Sequence, residues 1–405
     1  MPHALLIREK RPKGGKVYYP LQLQIISKPT PGPNELLVKM SAAALNHRDF
    51  FIRQNLYPNI SFQSPLLSDG SGTVLEAGPG CSATSCALAD RKSLVILTPS
   101  RGWESEVCGP EPVSWATFGA IGGVAVGSEE SSSSNNNNNN NNNNRQQLAG
   151  TAQTYVVVHE TEVEPSPEHL SPGEAAALPT CGLTAWRALV TKCGITPSKA
   201  DTTTTAASAA AAEPGEGANV QCNNNLNILV TGIGGGVALH VLQFAVALGH
   251  NVWVTSGSEE KLQRARQLGA RGGVLYTGGE WHRDLAALLP ADRPYLDAVV
   301  DGAGGDIVVR TTGLLRHGGC ISCYGMTVAP VMDWPMQAVL KNLELRGSTL
   351  GSRVEFRDMV AFVGEHRIRP VVSRAVRGLD CVDAIDGLFE DLRSGSQFGK
   401  LVIEF

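Results

Sequence analysis

No stretch of this 405-residue chain is apolar for long enough to span a bilayer. The N-terminus, MPHALLIREKRPKGG, lacks the uninterrupted apolar region of a secretory signal. Neither charge dominates: 34 Lys and Arg stand against 38 Asp and Glu, a formal net charge of −4. That balance argues against nucleic acid or a membrane as partner and leaves a small-molecule substrate, with the cytoplasm as the expected compartment. The nine cysteines are odd in number and scattered, and in a chain without an export signal they are expected as free, buried thiols. Cys320 and Cys323 have C-x-x-C spacing, but GGCISCYG reads as a strand, where residues three apart face opposite ways, so they are not expected to share a metal. Two stretches lack large apolar residues almost entirely: a Ser/Asn tract within 128–147, and 198–225, which contains DTTTTAASAAAAEPGEG. Neither can bury enough surface to offset its ordering entropy, and both are expected to be disordered surface insertions.

Against these absences, 227–249 (NILVTGIGGGVALHVLQFAVALG) is rich in signal. A short apolar run is followed by Gly232, Gly234, Gly235 and Gly236, then by an amphipathic run that closes on Gly249. The order is buried strand, tight glycine turn, helix. Glycines let the backbone approach a pyrophosphate, and a helix N-terminus offers free N–H groups and a positive dipole end. The third glycine of a G-x-G-x-x-G fingerprint is replaced by Val237. The continuation supports the reading. Residues 252–255 (VWVT) form a second strand, 259–268 (EEKLQRARQL) a helix and 296–301 (LDAVVD) a later buried strand. This βαβ rhythm predicts a doubly wound parallel sheet that binds a dinucleotide.

The chain is long enough for two domains. Up to about residue 175 it offers short strands at 36–45, 71–78, 93–99 and 154–160, punctuated by Pro and Gly, with a short helix at 46–55. The dinucleotide domain is expected over 176–330. The tail, 331–405, has helical stretches at 356–365 and 381–393 and a final strand, KLVIEF, and is expected to complete the first domain.

With PGPNELLVKMSAAALNHRDF, LLSDGSGTVLEAG, GTAQTYVVV, EAAALPTCGLTAWRAL and VTGIGGGVALHVLQFA in view, the chain resembles the medium-chain dehydrogenase/reductase superfamily over nearly its whole length. The branch it is most similar to holds the quinone-oxidoreductase-like and zinc-type alcohol-dehydrogenase-like proteins. The resemblance implies an α/β fold, a GroES-like β-rich catalytic domain plus a Rossmann domain, and an NAD(P)H-dependent oxidoreductase. Zinc members of the superfamily carry Cys, His and Cys at the positions of Asn46, Ser68 and Cys181, so only the third survives. Catalytic zinc needs three protein ligands, and the four-cysteine structural lobe has no counterpart between Cys81 and Cys108, so no zinc is expected. The quinone-reductase pattern N-x-x-D-x-x-x-R-x-x-x-Y is matched by Asn46, Asp49, Arg53 and Tyr57. By resemblance, Asn46 and Tyr57 line the pocket over the nicotinamide, where an amide and a phenol can polarise a carbonyl. Asp49 and Arg53 are expected to brace the helix as an i,i+4 ion pair. His47 is a candidate proton relay, with the choice between it and Tyr57 open.

For the cofactor, the second strand ends in Ser256-Gly257-Ser258 rather than in the carboxylate of NAD-specific domains. Ser256, Ser258 and Lys261 can hold a 2′-phosphate, and by resemblance Tyr276 approaches it. NADPH is therefore expected over NADH. Thr184, Gly302–Gly305 and Gly325 are further candidate cofactor contacts, and Arg353 is either a pocket contact or a surface helix-capping arginine. The expected chemistry is hydride transfer to a quinone, enone or aldehyde. A zinc-dependent alcohol dehydrogenase is one alternative. A catalytically silent NADPH-binding scaffold, suggested by the two insertions and an irregular 84–93 segment, is the other. A homodimer is implied only by the resemblance.

Overall fold

The computed structural model describes residues 1–10, 17–111, 118–126, 146–147, 149–196 and 225–405. The two expected insertions lie almost wholly outside the described residues. The exceptions are Gln146–Gln147, which pair antiparallel with Ala125–Val126, and Asn225. The chain divides into two compact units, Met1–Leu183 with Leu350–Phe405, and Thr184–Thr349.

The first unit is built on a sheet with the order Val163–Pro165, Leu94–Leu97, Asp69–Ala77, Glu35–Ala44, Lys400–Glu404, Val372–Arg377, and with Tyr155–His159 also paired to Glu35–Ala44. Glu35–Ala44 is buried on both faces, so its sequence is almost continuously apolar. Leu36, Val38 and Met40 pack with Val74, Val95 and Val156, while Ala43 joins a second cluster with Phe389, Leu401 and Ile403. The helix Val382–Ser394 feeds that second cluster through Ile385, Leu388, Phe389 and Leu392, a 3.6-residue stripe. It stops at Gly395, whose φ of 65° few other residues adopt cheaply. The 84–93 segment is not irregular. Ala83–Asp90 is a helix capped by Ser82, whose Oγ accepts the Ser85 N–H at 3.3 Å.

The second unit has the doubly wound parallel sheet expected from its βαβ rhythm. Its order is Gly272–Leu275, Asn251–Ser256, Asn227–Val230, Leu296–Asp301, Leu315–Cys323, Glu344–Gly347, every pair parallel. Strand order reverses between Asn227–Val230 and Leu296–Asp301. Ligands bind at such a switch point, outside the carboxyl ends of the strands.

Candidate active site and dinucleotide cradle

In the first unit Asn46 and Cys181 meet at a residue that sequence reasoning passed over. Lys400 opens the strand Lys400–Glu404 and is 3% exposed. Its Nζ donates to Asn46 Oδ1 at 2.6 Å, Leu45 O at 2.7 Å and Asp69 Oδ2 at 2.9 Å, with Cys181 Sγ alongside at 3.6 Å. Three oxygens satisfy the three hydrogens of an ammonium. Burial works to lower the Lys400 pKa, but the Asp69 carboxylate foremost, then Cys181 and Asp49, carry it above the ordinary lysine value, so the group is a cation. Asp69 is fixed in turn by the Thr180 N–H at 2.9 Å.

Asn46 is buried just ahead of the helix His47–Arg53. Because Lys400, and Cys181 at 3.4 Å, both donate to its Oδ1, the carboxamide is oriented with Nδ2 on the other side, donating to the buried Ser68 Oγ at 3.3 Å. Ser68 in turn shares a hydrogen bond with Thr180 Oγ1 at 3.1 Å. Burial pushes the Cys181 thiol upward, against the pull of Lys400. Tyr57 is half-buried, its ring 5.0 Å from the Arg48 guanidinium. His47 stands on the solvent side, edge-on to Phe51 at 5.0 Å, and partial burial lowers its pKa, which leaves it neutral at pH 7.

The expected Asp49–Arg53 ion pair does not form. Asp49 folds back to its own helix start, accepting the Asn46 N–H at 2.7 Å and lying 3.4 Å from Arg48. Its burial raises its pKa to about 6. Arg53, in the last turn, faces away and bonds Asp386 at 2.6 Å and Tyr19 O at 2.9 Å. It therefore ties this helix to Val382–Ser394. Arg353 is not a surface cap; it is buried and paired with Glu164 at 2.8 Å.

The donors at the three zinc-ligand positions do not suit that ion. They are an amide, a hydroxyl and one thiol, and the amide and thiol already face an ammonium. Among the described residues no three His, Cys, Asp or Glu side chains group so as to hold a metal.

In the second unit, Thr231-Gly232-Ile233-Gly234-Gly235 leads from Asn227–Val230 into the helix Gly236–Ala247. Gly232 and Gly234 take φ of 64° and 121°, which a side chain would strain. Gly235 is the N-cap and brings no capping side chain. The first intrahelical bond runs from Leu239 N–H to Gly235 O at 3.1 Å, so the helix leaves the amides of Gly236, Val237 and Ala238 for an anion. A dinucleotide pyrophosphate fits this cradle. Its far wall is held by Asp301, which bonds Thr231 Oγ1 at 2.6 Å and the Gly304 N–H at 2.8 Å. Burial raises the Asp301 pKa while those bonds oppose the rise. Gly325 follows Leu315–Cys323 so closely against Gly302 that a Cβ there would lie 3.3 Å from the Gly302 carbonyl. Thr184 is buried in the helix Pro179–Trp186.

At the end of the second strand, Ser256 Oγ accepts the Ser258 N–H at 3.1 Å, and Ser258 caps the helix Glu259–Gln267 through the Lys261 N–H. The Tyr276 hydroxyl hangs over Gly257, where a Cβ would approach it to 2.7 Å. Ser256, Ser258, Lys261 and Tyr276 thus border one strand end. Thr231, Asp301, Asp69 and Lys400 were absent from the sequence candidates. Only Lys400 carried a signal, a basic residue opening the apolar run LVI.

Comparison with known proteins accords with this geometry. A family model described as alcohol dehydrogenase GroES-like domain matches residues 32–168, and one described as zinc-binding dehydrogenase matches 236–365. A zinc-type alcohol dehydrogenase-like protein of Leptosphaeria maculans is 56% identical, with 100% of each chain covered. One from Schizosaccharomyces pombe is 28% identical over 92% of this chain and 91% of its own. The crystal structure of an NAD-dependent alcohol dehydrogenase superposes over 100% of both chains with a TM-score of 0.73 at 26% identity. Both the GroES-like and the Rossmann-like parts of the expected fold are present.

Proposed function

The chain belongs to the medium-chain dehydrogenase/reductase superfamily, as a zinc-type alcohol-dehydrogenase-like protein and an NAD(P)-dependent oxidoreductase, and from that premise we propose that it works without zinc, prefers NADPH and reduces a quinone, enone or aldehyde. The observation that carries the reading is the Lys400 ammonium, held within 2.6 Å of Asn46 Oδ1 and 3.6 Å of Cys181 Sγ, two of the three positions a catalytic zinc would bind. The NADPH preference is supported by the carboxylate-free strand end at Ser256 and by the hydroxyls and Lys261 around it.

When bound, the nicotinamide supplies the hydride. The amides of Gly236, Val237 and Ala238 hold the pyrophosphate, and Thr184 and Gly325 are assigned to the nicotinamide end. Asn46 Nδ2 donates to the substrate oxygen as negative charge develops there, and Tyr57 is the phenolic donor beside it. His47, neutral at pH 7, is the weaker candidate for delivering a proton. We assign the protein to the cytoplasm, with a small molecule rather than nucleic acid or membrane as partner and a homodimer as its assembly; no described helix is long and apolar enough to cross a membrane.

The zinc-dependent alternative rests on the names of the relatives. One experiment separates the readings: consumption of NADPH or NADH against quinones, enones, aldehydes and alcohols, with and without chelator, on protein of measured metal content. Chelator-insensitive NADPH oxidation by an electron-poor carbonyl is expected. One zinc per chain with alcohol oxidation lost on chelation overturns the reading, and NADPH binding without turnover across the panel favours a silent binding protein.

A further inference from the structure

Lys400 lies among the residues at the zinc-ligand positions, yet it comes from the far end of the chain, 354 residues from Asn46. It is buried, and each oxygen it meets belongs to the strand end at Leu45–Asn46 or to Asp69. A catalytic zinc sits about 2.0–2.3 Å from its nitrogen and sulfur ligands. An ammonium 2.6 Å from the side chain of residue 46 and 3.6 Å from that of residue 181 occupies the space such an ion needs and repels it. Asp69, whose carboxylate would favour a cation, is already neutralised by Lys400 at 2.9 Å.

We propose that Lys400 is a built-in cation that closes this site to divalent metals, so that restoring the missing ligands alone would not restore metal binding. The inference rests on the zinc-independent reading above and goes further, because it assigns the exclusion to a fourth residue rather than to the lost ligands. It also gives the Asn46 carboxamide its orientation, since the oxygen is held by the ammonium and the amide nitrogen is turned to Ser68 Oγ.

The test uses the full chain and two probes, zinc and cobalt(II). The parent, Asn46→Cys/Ser68→His, and the same pair with Lys400→Met are compared by metal content after dialysis and by the thiolate-to-cobalt absorption band. Lys400→Met strands the Asp69 carboxylate, so a fourth protein adds Asp69→Asn to keep the fold, with circular dichroism and melting as controls. The expected result is no metal on the parent or the double variant, and about one ion per chain, bound at least 100-fold tighter than by the double variant, once Lys400 is removed. A double variant that binds as tightly as the Lys400-free proteins overturns the proposal, as do Lys400-free proteins that fold and still bind nothing. Stoichiometric zinc on the parent would instead overturn the zinc-independent function itself, so the two failures are distinguishable.

Discussion

Lys400 and Asp49 sit within one buried charge cluster and behave oppositely. The lysine has an oxygen for each of its hydrogens and stays charged. Asp49 is fully enclosed, and burial outweighs the Arg48 guanidinium and the Asn46 N–H in setting its pKa at about 6. The consequence for stability has a definite sign. Unfolded, this carboxyl titrates near 3.8. Between that value and about 6 the folded chain binds more protons than the unfolded one, so stability falls as pH rises through the window and the penalty is complete above it. A shift of about two pH units corresponds to roughly 3 kcal/mol at full extent. Asp49→Asn removes the titration. The melting temperature of that variant relative to the parent should climb from pH 4.5 to pH 7 and level off beyond. A difference that stays flat over that range would falsify the buried-carboxylate account.

At the scale of elements, the strand Asn251–Ser256 and the helix Glu259–Gln267 meet at Ser256-Gly257-Ser258, and their junction sets the predicted cofactor preference. Ser256→Asp places a carboxylate where NAD-specific domains carry one. NADPH should weaken by about 10- to 100-fold, which is about 1.4–2.7 kcal/mol, while NADH holds or improves. Titration of both cofactors checks this, and equal weakening of the two would show that the strand end carries no discrimination. The inner strands here were legible because Asn227–Val230, Asn251–Ser256 and Leu296–Asp301 are short, buried, mostly apolar runs closed by Gly or a polar turn. Glu344–Gly347 was not. ELRG is a largely exposed edge strand, and with one covered neighbour it needs no apolar run. The Asp49–Arg53 spacing misled for a related reason. Helical spacing says which side chains can meet, but the helix is seven residues long and each charge found a stronger partner off the i,i+4 row: the helix start for one, Asp386 for the other.

At the scale of the whole molecule, the first unit takes its sheet from both ends of the chain. Lys400–Glu404 lies between Glu35–Ala44 and Val372–Arg377, antiparallel to the first and parallel to the second. The candidate site was therefore half legible: residues 46 and 57 share a local motif, while Lys400 reaches Leu45 and Asp69 only through this topology, across 355 and 331 residues. A chain ending at Gly399 should lose two things at once. The strand's removal opens two sheet edges and uncovers the apolar cluster holding Leu401 and Ile403, and Asp69 is left as a buried, unpaired carboxylate, a defect that costs about 3–5 kcal/mol where such pairs are broken. Lys400→Met in the full chain creates only the second. Comparing their melting temperatures and proteolytic cleavage patterns separates strand from charge. The truncated chain should melt well below Lys400→Met and be cut first within Met1–Leu183, and Lys400→Met should recover toward the parent when Asp69→Asn is added. If truncation and the single substitution cost the same, the terminal strand serves only to deliver the ammonium, and the sheet of the first unit closes without it.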